Sequence, residues 1–503
     1  MTSYSVFVPD FEQKEELPLI SSTFDRYNDS IKNSLGKDKD LVQQKFDLNL
    51  QPDSNNFFRN AKWSPDGSCL LTSSADDVVR LFQLPSNVYE DTENAGKVLP
   101  MEPTLGIRQG ESIYDFVWFP SMTAQDPSTC CFLTSVRDHP IQLWDVTGAV
   151  RASYSAVDHC ERFIGPNALA FNLDGSKIYA GYENMIEIFD VHRPGPDSKK
   201  LPTITKRKSK KGQKGIISCL DFCPDYSGLY AAGSYSQSIG IYDETNNELC
   251  LKLTGFEGGT TQVKFSKDGT LLFSVSRHSN DILCWDIRDS ANILFQLNRP
   301  GKTNQRISFD IDATGKYLIT GDQEGHVLIY DITTGESEDV ETKERLVHSF
   351  KAHNDVTSCA TFNPVYPVIA SCSGQRKFVL PQDESDESDD EEGEQVIDNT
   401  LKVWRVPGQY QWYTYDVEST DMTTGTTDMV TETTDMVTET TDMVTETTEI
   451  TTVDMVTETG THVMVTETAT DMVTETSTDV VSDQMTAAAA LESEANNIPP
   501  KSV

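Results

Sequence analysis

Seven short stretches decide the fold of this chain: RLFQL (80–84), QLWDV (142–146), EIFDV (187–191), GIYDE (240–244), LCWDI (283–287), LIYDI (328–332) and KVWRV (402–406). Each is an alternating apolar run with one aromatic side chain at its centre. Glycine-containing turns stand inside the units, at SPDG (64–67), LDG (173–175), SKDG (266–269) and DATG (312–315). A unit that recurs in this way predicts a repeat architecture.

Each unit predicts a short antiparallel sheet that is apolar on both faces and must therefore stack on its neighbours. Aspartate and glycine in the turns permit tight reversals of the chain. The predicted fold is all-β, a seven-bladed WD-repeat β-propeller with disordered acidic flanks. A sandwich of unrelated β-hairpins is the competing prediction. The segment QKFDLNL (44–50) is expected to supply the outer strand of the seventh blade and so close the ring.

Composition predicts three regions. Residues 1–42 are polar and without periodicity, so we expect them to be disordered. The propeller is predicted over 43–410, with an acidic disordered insertion at 381–399. Residues 411–503 repeat DMVTETT, and their heptad offers only an adjacent Met-Val pair and no basic partner for its acids. A coiled coil would repel itself there, so a disordered tail is predicted.

The charge of the chain is unevenly distributed. The 503 residues carry a formal net charge of -38, of which the run 381–399 and the tail 417–503 hold -27. The remaining -11 does not exclude a polyanionic partner, because local basic patches act over a Debye length of about 8 Å.

Membrane association and secretion are not expected. No run of 18 apolar residues is present, and the N-terminus lacks a basic start followed by an apolar stretch. The 10 cysteines lack metal-site spacing, so reduced thiols in the cytosol or nucleus are predicted.

No catalytic motif is present in the sequence. G-x-x-x-x-G-K, H-E-x-x-H and G-x-S-x-G are all missing, so we predict no enzyme activity, no catalytic residue, no metal and no cofactor. His353 is expected to join a structural hydrogen-bond network with a serine and Trp404. We call the seven stretches quoted above the closing strands of their units. The aspartates at the ends of four of them are predicted to be turn residues: Asp145, Asp190, Asp286 and Asp331.

Two basic features point toward a polyanion. One is a run with eight bases and no acid between residues 199 and 214. Its candidate RNA-binding residues are Lys206, Arg207, Lys208, Lys210 and Lys211. A solvated loop and a nuclear-localisation signal are the alternative interpretations of this run.

The second feature is a set of arginines predicted to share one rim. Arg137 and Arg277 lie in turns before closing strands, Arg306 is expected to start the first strand of the sixth blade, and Arg376 follows the second strand of the seventh. Arginine can bind phosphate with its planar fork and can stack on bases. Surface ion pairs are the alternative for each arginine taken singly.

Several longer stretches resemble the telomerase Cajal body protein family over roughly residues 55–410. They are FFRNAKWSPDGSCLLTSSADD (57–77), ESIYDFVWF (111–119), RDHPIQLWD (137–145), LLFSVSRHSNDILCWDIR (271–288), TNQRISFDIDATGKYLITGD (303–322) and IASCSGQRKF (369–378). The resemblance implies a non-catalytic RNA-binding scaffold that carries small Cajal-body RNAs, and telomerase RNA where an organism uses it, to Cajal bodies or telomeres.

The resemblance also implies partners and a location. It implies H/ACA core proteins such as dyskerin, the cytosolic chaperonin for folding, and a nuclear Cajal-body location, with telomeres and some cytoplasmic protein in addition. The alternative is a generic WD-repeat protein-interaction platform without direct RNA contact. The DMVTETT tail has no counterpart in the resemblance.

Overall fold

Seven sheets, whose successive strands pair antiparallel except for β6 (Leu99–Pro100) in blade 7, form the blades of a propeller. The computed structural model describes residues 2–12, 16–24, 56–89, 98–204, 212–288, 292–333, 345–377 and 397–415. From the channel outward, blade 1 contains β3 (Phe58–Trp63), β4 (Cys69–Ser74), β5 (Val78–Gln83) and β7 (Leu105–Arg108). Blade 2 contains β8 (Ile113–Trp118), β9 (Cys131–Val136), β10 (Ile141–Asp145) and β11 (Val150–Tyr154). Blade 3 contains β12 (Ala168–Phe171), β13 (Lys177–Tyr182), β14 (Met185–Asp190) and β15 (Ser198–Pro202).

The next three blades follow the same plan. Blade 4 contains β16 (Ile217–Phe222), β17 (Leu229–Ser234), β18 (Ser238–Asp243) and β19 (Leu249–Leu253). Blade 5 contains β20 (Thr260–Phe265), β21 (Leu271–Ser276), β22 (Asp281–Asp286) and β23 (Ile293–Asn298). Blade 6 contains β24 (Phe309–Ile311), β25 (Tyr317–Gly321), β26 (His326–Asp331) and β27 (Leu346–Lys351). Blade 7 contains β28 (Thr357–Phe362), β29 (Val368–Ser373) and β30 (Leu401–Arg405), followed by β2 (Leu19–Ser22) and β6 (Leu99–Pro100). The prediction of an all-β, seven-bladed propeller is confirmed.

Apolar side chains fill every interface between neighbouring blades. Seven buried clusters occur among the described residues, and each draws its members from two adjacent blades. Tyr179 of β13 and Tyr230 of β17, for example, lie with ring centroids 5.0 Å apart between blades 3 and 4. A single blade would expose such faces to water, so ring formation is what makes each blade stable.

Carboxylates on the innermost strands tie alternate blades to their neighbours. Three aspartates, on β8, β16 and β24, each accept a backbone N–H from the first strand of the next blade. The bonds run from Leu169 N to Asp115 (3.0 Å), from Phe265 N to Asp221 (2.8 Å) and from Phe362 N to Asp310 (3.1 Å). These bonds fix the register of the strands around the channel.

The ring closes through a strand that the sequence did not predict. β2 pairs antiparallel with β30, with Leu19 opposite Trp404, and β6 then adds in parallel to β2. The segment 44–50, predicted to close the ring, lies outside the described residues, and Leu19–Ser22 holds the place assigned to it. The prediction of disorder over 1–42 is therefore wrong for the part that forms strands, because Ile20 is buried between blades 7 and 1.

A two-stranded ribbon joins both flanks of the propeller. β1 (Thr2–Pro9) pairs along its whole length with β31 (Gly408–Tyr415). Phe7 opposes Tyr410 in this ladder, and both Phe7 and Phe11 pack into the cluster between blades 6 and 7. The predicted boundary at residue 410 is therefore wrong, since the ordered chain continues to Tyr415.

The last residues of the predicted acidic insertion, 397–399, belong to the folded part of the chain. Asp398 is buried and accepts bonds from Asn354 N (2.8 Å) and Thr400 Oγ1 (2.6 Å). The rest of the insertion, 381–396, and the tail from 416 lie outside the described residues. In the described part of the chain, we find one short 3-10 helix (Ser86–Tyr89), no α-helix, and no helix with the length and apolarity needed to cross a membrane.

Candidate nucleic-acid interface

Strand order places all four predicted arginines on one side of the ring. We call this side the upper rim: it comprises the turns between the second and third strands of each blade and the connections that lead to the next blade. Arg137 follows β9, Arg277 follows β21, and Arg376 follows β29. Arg306 lies in the connection before β24, which begins at Phe309, so the prediction that it starts this strand is wrong by three residues.

Arg277 covers the ring of Tyr235, which occupies the corresponding turn of blade 4. Its guanidinium carbon is 4.2 Å from the ring centroid, a cation–π geometry. Two glycines make this possible. A Cβ on Gly258 (φ +80) would meet the carbonyl oxygen of Arg277 at 2.1 Å, and one on Gly259 would meet the backbone of Tyr235 at 2.9 Å.

Arg306 reaches Tyr235 from the next connection along the rim. Its Nη2 donates to the Tyr235 hydroxyl at 2.9 Å and to the Ser218 carbonyl at 3.0 Å. Burial works against its charge, but the interactions with Tyr235 and Asp115 outweigh burial and raise the pKa of Arg306. The guanidinium is therefore charged and held by the protein.

Arg137 is the more accessible member of this group. Its side chain is 58% exposed, and its Nε lies 3.4 Å from Asp138. Tyr114, on β8 beside the channel, is close enough for Arg137 and Tyr235 to act on its ionisation. Burial raises the pKa of Tyr114, and the charge of Arg137 partly offsets that effect. Contacts join Tyr235, Arg277 and Arg306, and Arg137 and Tyr114 lie near enough for electrostatic influence; we call these five residues the arginine–tyrosine cluster.

Arg376 stands apart, in blade 7. It is exposed, and its two neighbours in sequence are fixed by one carboxylate: Gln375 donates to Asp355 at 2.7 Å and Lys377 forms an ion pair with it at 2.6 Å. Two of the four predicted arginines, Arg277 and Arg306, therefore contact the same tyrosine. Arg137 lies near them on the upper rim, and Arg376 lies on that rim in blade 7.

Comparison with known proteins places the chain in a family. The model "WD domain, G-beta repeat" matches residues 53–83 and 344–405. Telomerase Cajal body protein 1 of Mus musculus is 39% identical over 337 residues, which cover 67% of this chain and 62% of the relative. The human protein of that name is 38% identical over 345 residues, 68% of this chain and 61% of the relative. The chain belongs to the telomerase Cajal body protein family. It spans about three fifths of the length of these two relatives.

The chain is also similar to a relative with a different name. Guanine nucleotide-binding protein negative regulator 1 of Schizosaccharomyces pombe is 30% identical over 363 residues, which cover 69% of this chain and 88% of the relative. The similarity therefore covers most of the length of that relative.

The basic run of this family member cannot be placed with the cluster. Lys206, Arg207, Lys208, Lys210 and Lys211 lie outside the described residues. The described ends of the connection are tied together, because Gln213 N donates to the Thr203 carbonyl at 2.8 Å and Thr203 Oγ1 donates to the Gln213 carbonyl at 2.6 Å. The described residues on the two sides of the run, Thr203 and Gln213, therefore lie together at the upper rim.

The predicted network around His353 is confirmed. Trp404 Nε1 donates to Ser371 Oγ at 2.8 Å, and Ser371 Oγ lies 2.8 Å from His353 Nε2. His353 Nδ1 lies 3.1 Å from Thr400 Oγ1. Burial lowers the pKa of His353. Burial alone would favour a protonated Asp398, but His353, the Asn354 amide and the Thr400 hydroxyl hold the pKa of Asp398 well below its usual range.

Two groups of side chains within the described ranges have ligand atoms close enough to share a metal ion. They are Asp322, Glu324 and His326, and Asp158, His159 and Cys160. In both groups the aspartate already accepts backbone N–H bonds within its own turn. Asp322 accepts from Glu324 and His326, and Asp158 accepts from Cys160 and Arg162. We therefore interpret both as turn-stabilising arrangements.

Proposed function

We propose that this chain is an RNA-binding scaffold that recognises small Cajal-body RNAs, and telomerase RNA where an organism uses it, and directs the ribonucleoproteins to Cajal bodies and telomeres. The observation that carries the proposal is the arginine–tyrosine cluster on the upper rim. The names of the mouse and human relatives support the assignment to Cajal-body and telomerase particles.

The chemistry of the cluster suits single-stranded RNA. Arginine presents a planar set of donors to phosphate oxygens, and tyrosine rings stack on unpaired bases. Tyr235 is fixed at its hydroxyl by Arg306 and over its ring by Arg277, so it would lose little freedom on binding. Arg137 keeps more than half of its side chain accessible for phosphate.

The closure of the ring supports the proposed dependence on the cytosolic chaperonin. The N–H of Leu401 binds the Thr23 hydroxyl at 3.0 Å, which joins residues 378 positions apart. Contacts so distant in sequence form slowly and leave strand edges exposed meanwhile. H/ACA core proteins such as dyskerin complete the proposed set of partners.

Crosslinking of the full chain to RNA in cells, followed by sequencing, tests the proposal. We expect to recover H/ACA and box C/D Cajal-body RNAs, and to lose them when Tyr235 and Arg137 are replaced together by Ala and Glu. Recovery of ribosomal and messenger RNA alone would contradict the proposal.

A protein-interaction platform without direct RNA contact is the second candidate. It is favoured by the fission yeast relative, whose name describes a regulator of a guanine nucleotide-binding protein. Purified full chain that ignores an RNA stem-loop at low salt, yet captures the H/ACA core proteins, would decide for this alternative.

A further inference from the structure

A cavity of about 340 Å³ lies in the channel and reaches the rim opposite the upper rim. Its walls come from the first strands of blades 1, 2, 5, 6 and 7. Its mouth includes Pro65, Ala313 and Pro364, which lie in turns between first and second strands and therefore on the opposite rim. This volume is in the range of small-ligand sites, and the proposed RNA function does not use it.

Positive side chains dominate the charged lining of this channel cavity. Lys62, Lys264 and Lys267 line it, and Asp310 is the one carboxylate among the lining residues that the structure describes. Lys62 is paired with Asp115 at 3.0 Å, outside the lining, and also donates to the Phe116 carbonyl at 2.6 Å. Two of the lysines therefore have partners, because Lys264 is paired with Asp310.

The carboxylate of Asp310 has little capacity left for repelling an anion. Its Oδ2 accepts bonds from Thr361 Oγ1 (2.6 Å) and Phe362 N (3.1 Å), and its Oδ1 accepts from Lys264 and from Ile311 N (2.8 Å). The charge of Asp310 is consequently neutralised inside the wall of the cavity.

Lys267 differs from the other two lysines. Within the described ranges, no carboxylate lies at ion-pair distance from its ammonium group. Lys267 is solvent-exposed at the edge of the cavity, yet partial desolvation, and then the charge of Lys264, lower the pKa of Lys267 in spite of Asp310, Asp221 and Asp312. The last two do not line the cavity, and each already accepts backbone N–H bonds, Asp221 from Phe265 and Asp312 from Tyr317.

Asn60 supplies a neutral donor to the same cavity. Its Oδ1 accepts from Ala61 N at 2.9 Å and from Ser308 Oγ at 3.4 Å, which assigns its NH₂ group to the remaining position. An amide N–H and an ammonium group lining one cavity are the donors that a tetrahedral oxyanion accepts from.

We propose that the channel cavity binds a small phosphate compound, with Lys267 supplying the positive charge and Asn60 a neutral hydrogen bond. The site is separate from the arginine–tyrosine cluster, and the proposal stands whether or not the upper rim binds RNA. A bound phosphate would compensate the charge of Lys267 and stabilise the five blades that line the cavity.

Calorimetric titration of the full chain with sodium pyrophosphate at constant ionic strength tests the site. We expect saturable binding of one pyrophosphate and a rise of the midpoint of thermal unfolding. The substitution Lys267→Gln should weaken binding at least tenfold, whereas Lys267→Arg should retain most of it. Lys302→Gln removes the same charge from an exposed position on the upper rim and should bind pyrophosphate as the unchanged chain does.

Two results would overturn the proposal. One is the absence of saturable binding by the unchanged chain. The other is equal loss of binding in Lys267→Gln and Lys302→Gln, which would indicate attraction to overall charge instead of a site. Thermal unfolding of each variant without pyrophosphate checks that the ring is intact, and RNA binding by Lys267→Gln should be unchanged.

Discussion

Arg306 donates from Nη2 to the hydroxyl of Tyr235 at 2.9 Å, so one of the four arginines predicted to bind RNA is engaged by the protein itself. The same nitrogen donates to the Ser218 carbonyl at 3.0 Å. We infer that Arg306, in the connection between blades 5 and 6, holds Tyr235 of blade 4 in position. Tyr235 and its more accessible neighbours would then make the contacts with RNA.

Removing the Tyr235 hydroxyl and removing its ring should therefore have different effects. Tyr235→Phe should lower the free energy of unfolding by about 1–3 kcal/mol, because Arg306 loses an acceptor in a crowded site. It should retain most of the RNA affinity. Tyr235→Ala should in addition lose about 1–3 kcal/mol of RNA binding, the usual contribution of a stacked base. Denaturant titration and fluorescence anisotropy measure the two quantities, and equal RNA affinity in both variants would remove the ring from the interface.

Arg137→Glu tests the exposed member of the cluster. It should weaken RNA binding about tenfold and reduce the salt dependence of the affinity by about one phosphate contact. Arg193→Glu is the matched control, because Arg193 is 80% exposed beside Asp190 at the end of β14 and faces the opposite rim. If both variants bind RNA alike, the effect is one of overall charge and Arg137 is not a ligand.

Gly258 allows the chain that follows blade 4 to approach the backbone of Arg277 closely. A substitution at Gly258 therefore tests this contact, with Gly255 as a control. Gly258→Ala should destabilise the propeller and weaken RNA binding, because its φ of +80 is unfavourable for alanine and its Cβ would meet the Arg277 carbonyl oxygen. Gly255→Ala has the same backbone problem (φ +99) but open space around its Cβ. A loss of RNA affinity of the same size in both would show that the Arg277 contact is unimportant.

The sequence predicts the blades well because their signal is local. Trp144, Trp285 and Trp404 each stand in a closing strand, and each donates to a Thr or Ser on the neighbouring strand of its own blade. Alternation of apolar residues and glycine turns within about 40 residues is enough to specify such a unit. The register of a blade therefore follows from its own sequence.

The closure of the ring by β2 and the role of Tyr235 could not be predicted from the sequence, because both depend on distant partners. Leu19–Ser22 is a strand only because β30 lies beside it. Tyr235 resembles any residue in a turn until Arg277 and Arg306, from the next two blades, are seen to contact it. Its position in the turn that Arg137 and Arg277 occupy in their blades was the available signal.

The buried network of blade 7 predicts a specific acid sensitivity. Burial holds the pKa of His353 below its unfolded value of 6.5, so the unfolded state binds a proton first. The stability that His353 contributes is thus present above pH 6.5 and is lost as the pH falls below it, by up to about 1.4 kcal/mol per pH unit. Asp398, whose pKa is lowered from 3.8, loses its contribution only at more acidic pH.

The variant His353→Gln separates these effects. It should be less stable than the unchanged chain at pH 7.5 and should lose less stability between pH 6.5 and 5. The measurement is the free energy of unfolding by urea at several pH values, with Trp404→Phe as a control that removes a hydrogen bond of the network and no titrating group. Parallel pH profiles for the unchanged chain and His353→Gln would contradict the assignment.

Strand β2, which closes the ring, should matter more to stability than its four residues suggest. Ile20 is 2% exposed and lies in the cluster between blades 7 and 1, so Ile20→Ala should cost about 2–5 kcal/mol. Ile293→Ala, in the outer strand of blade 5, removes the same atoms from a side chain that is 40% exposed and should cost under about 1.5 kcal/mol. Because β2 joins the two flanks of the ring, Ile20→Ala should also speed unfolding and raise the rate of limited proteolysis in blade 7, whereas Ile293→Ala should leave that rate unchanged. Equal effects of the two substitutions would mean that another segment closes the propeller.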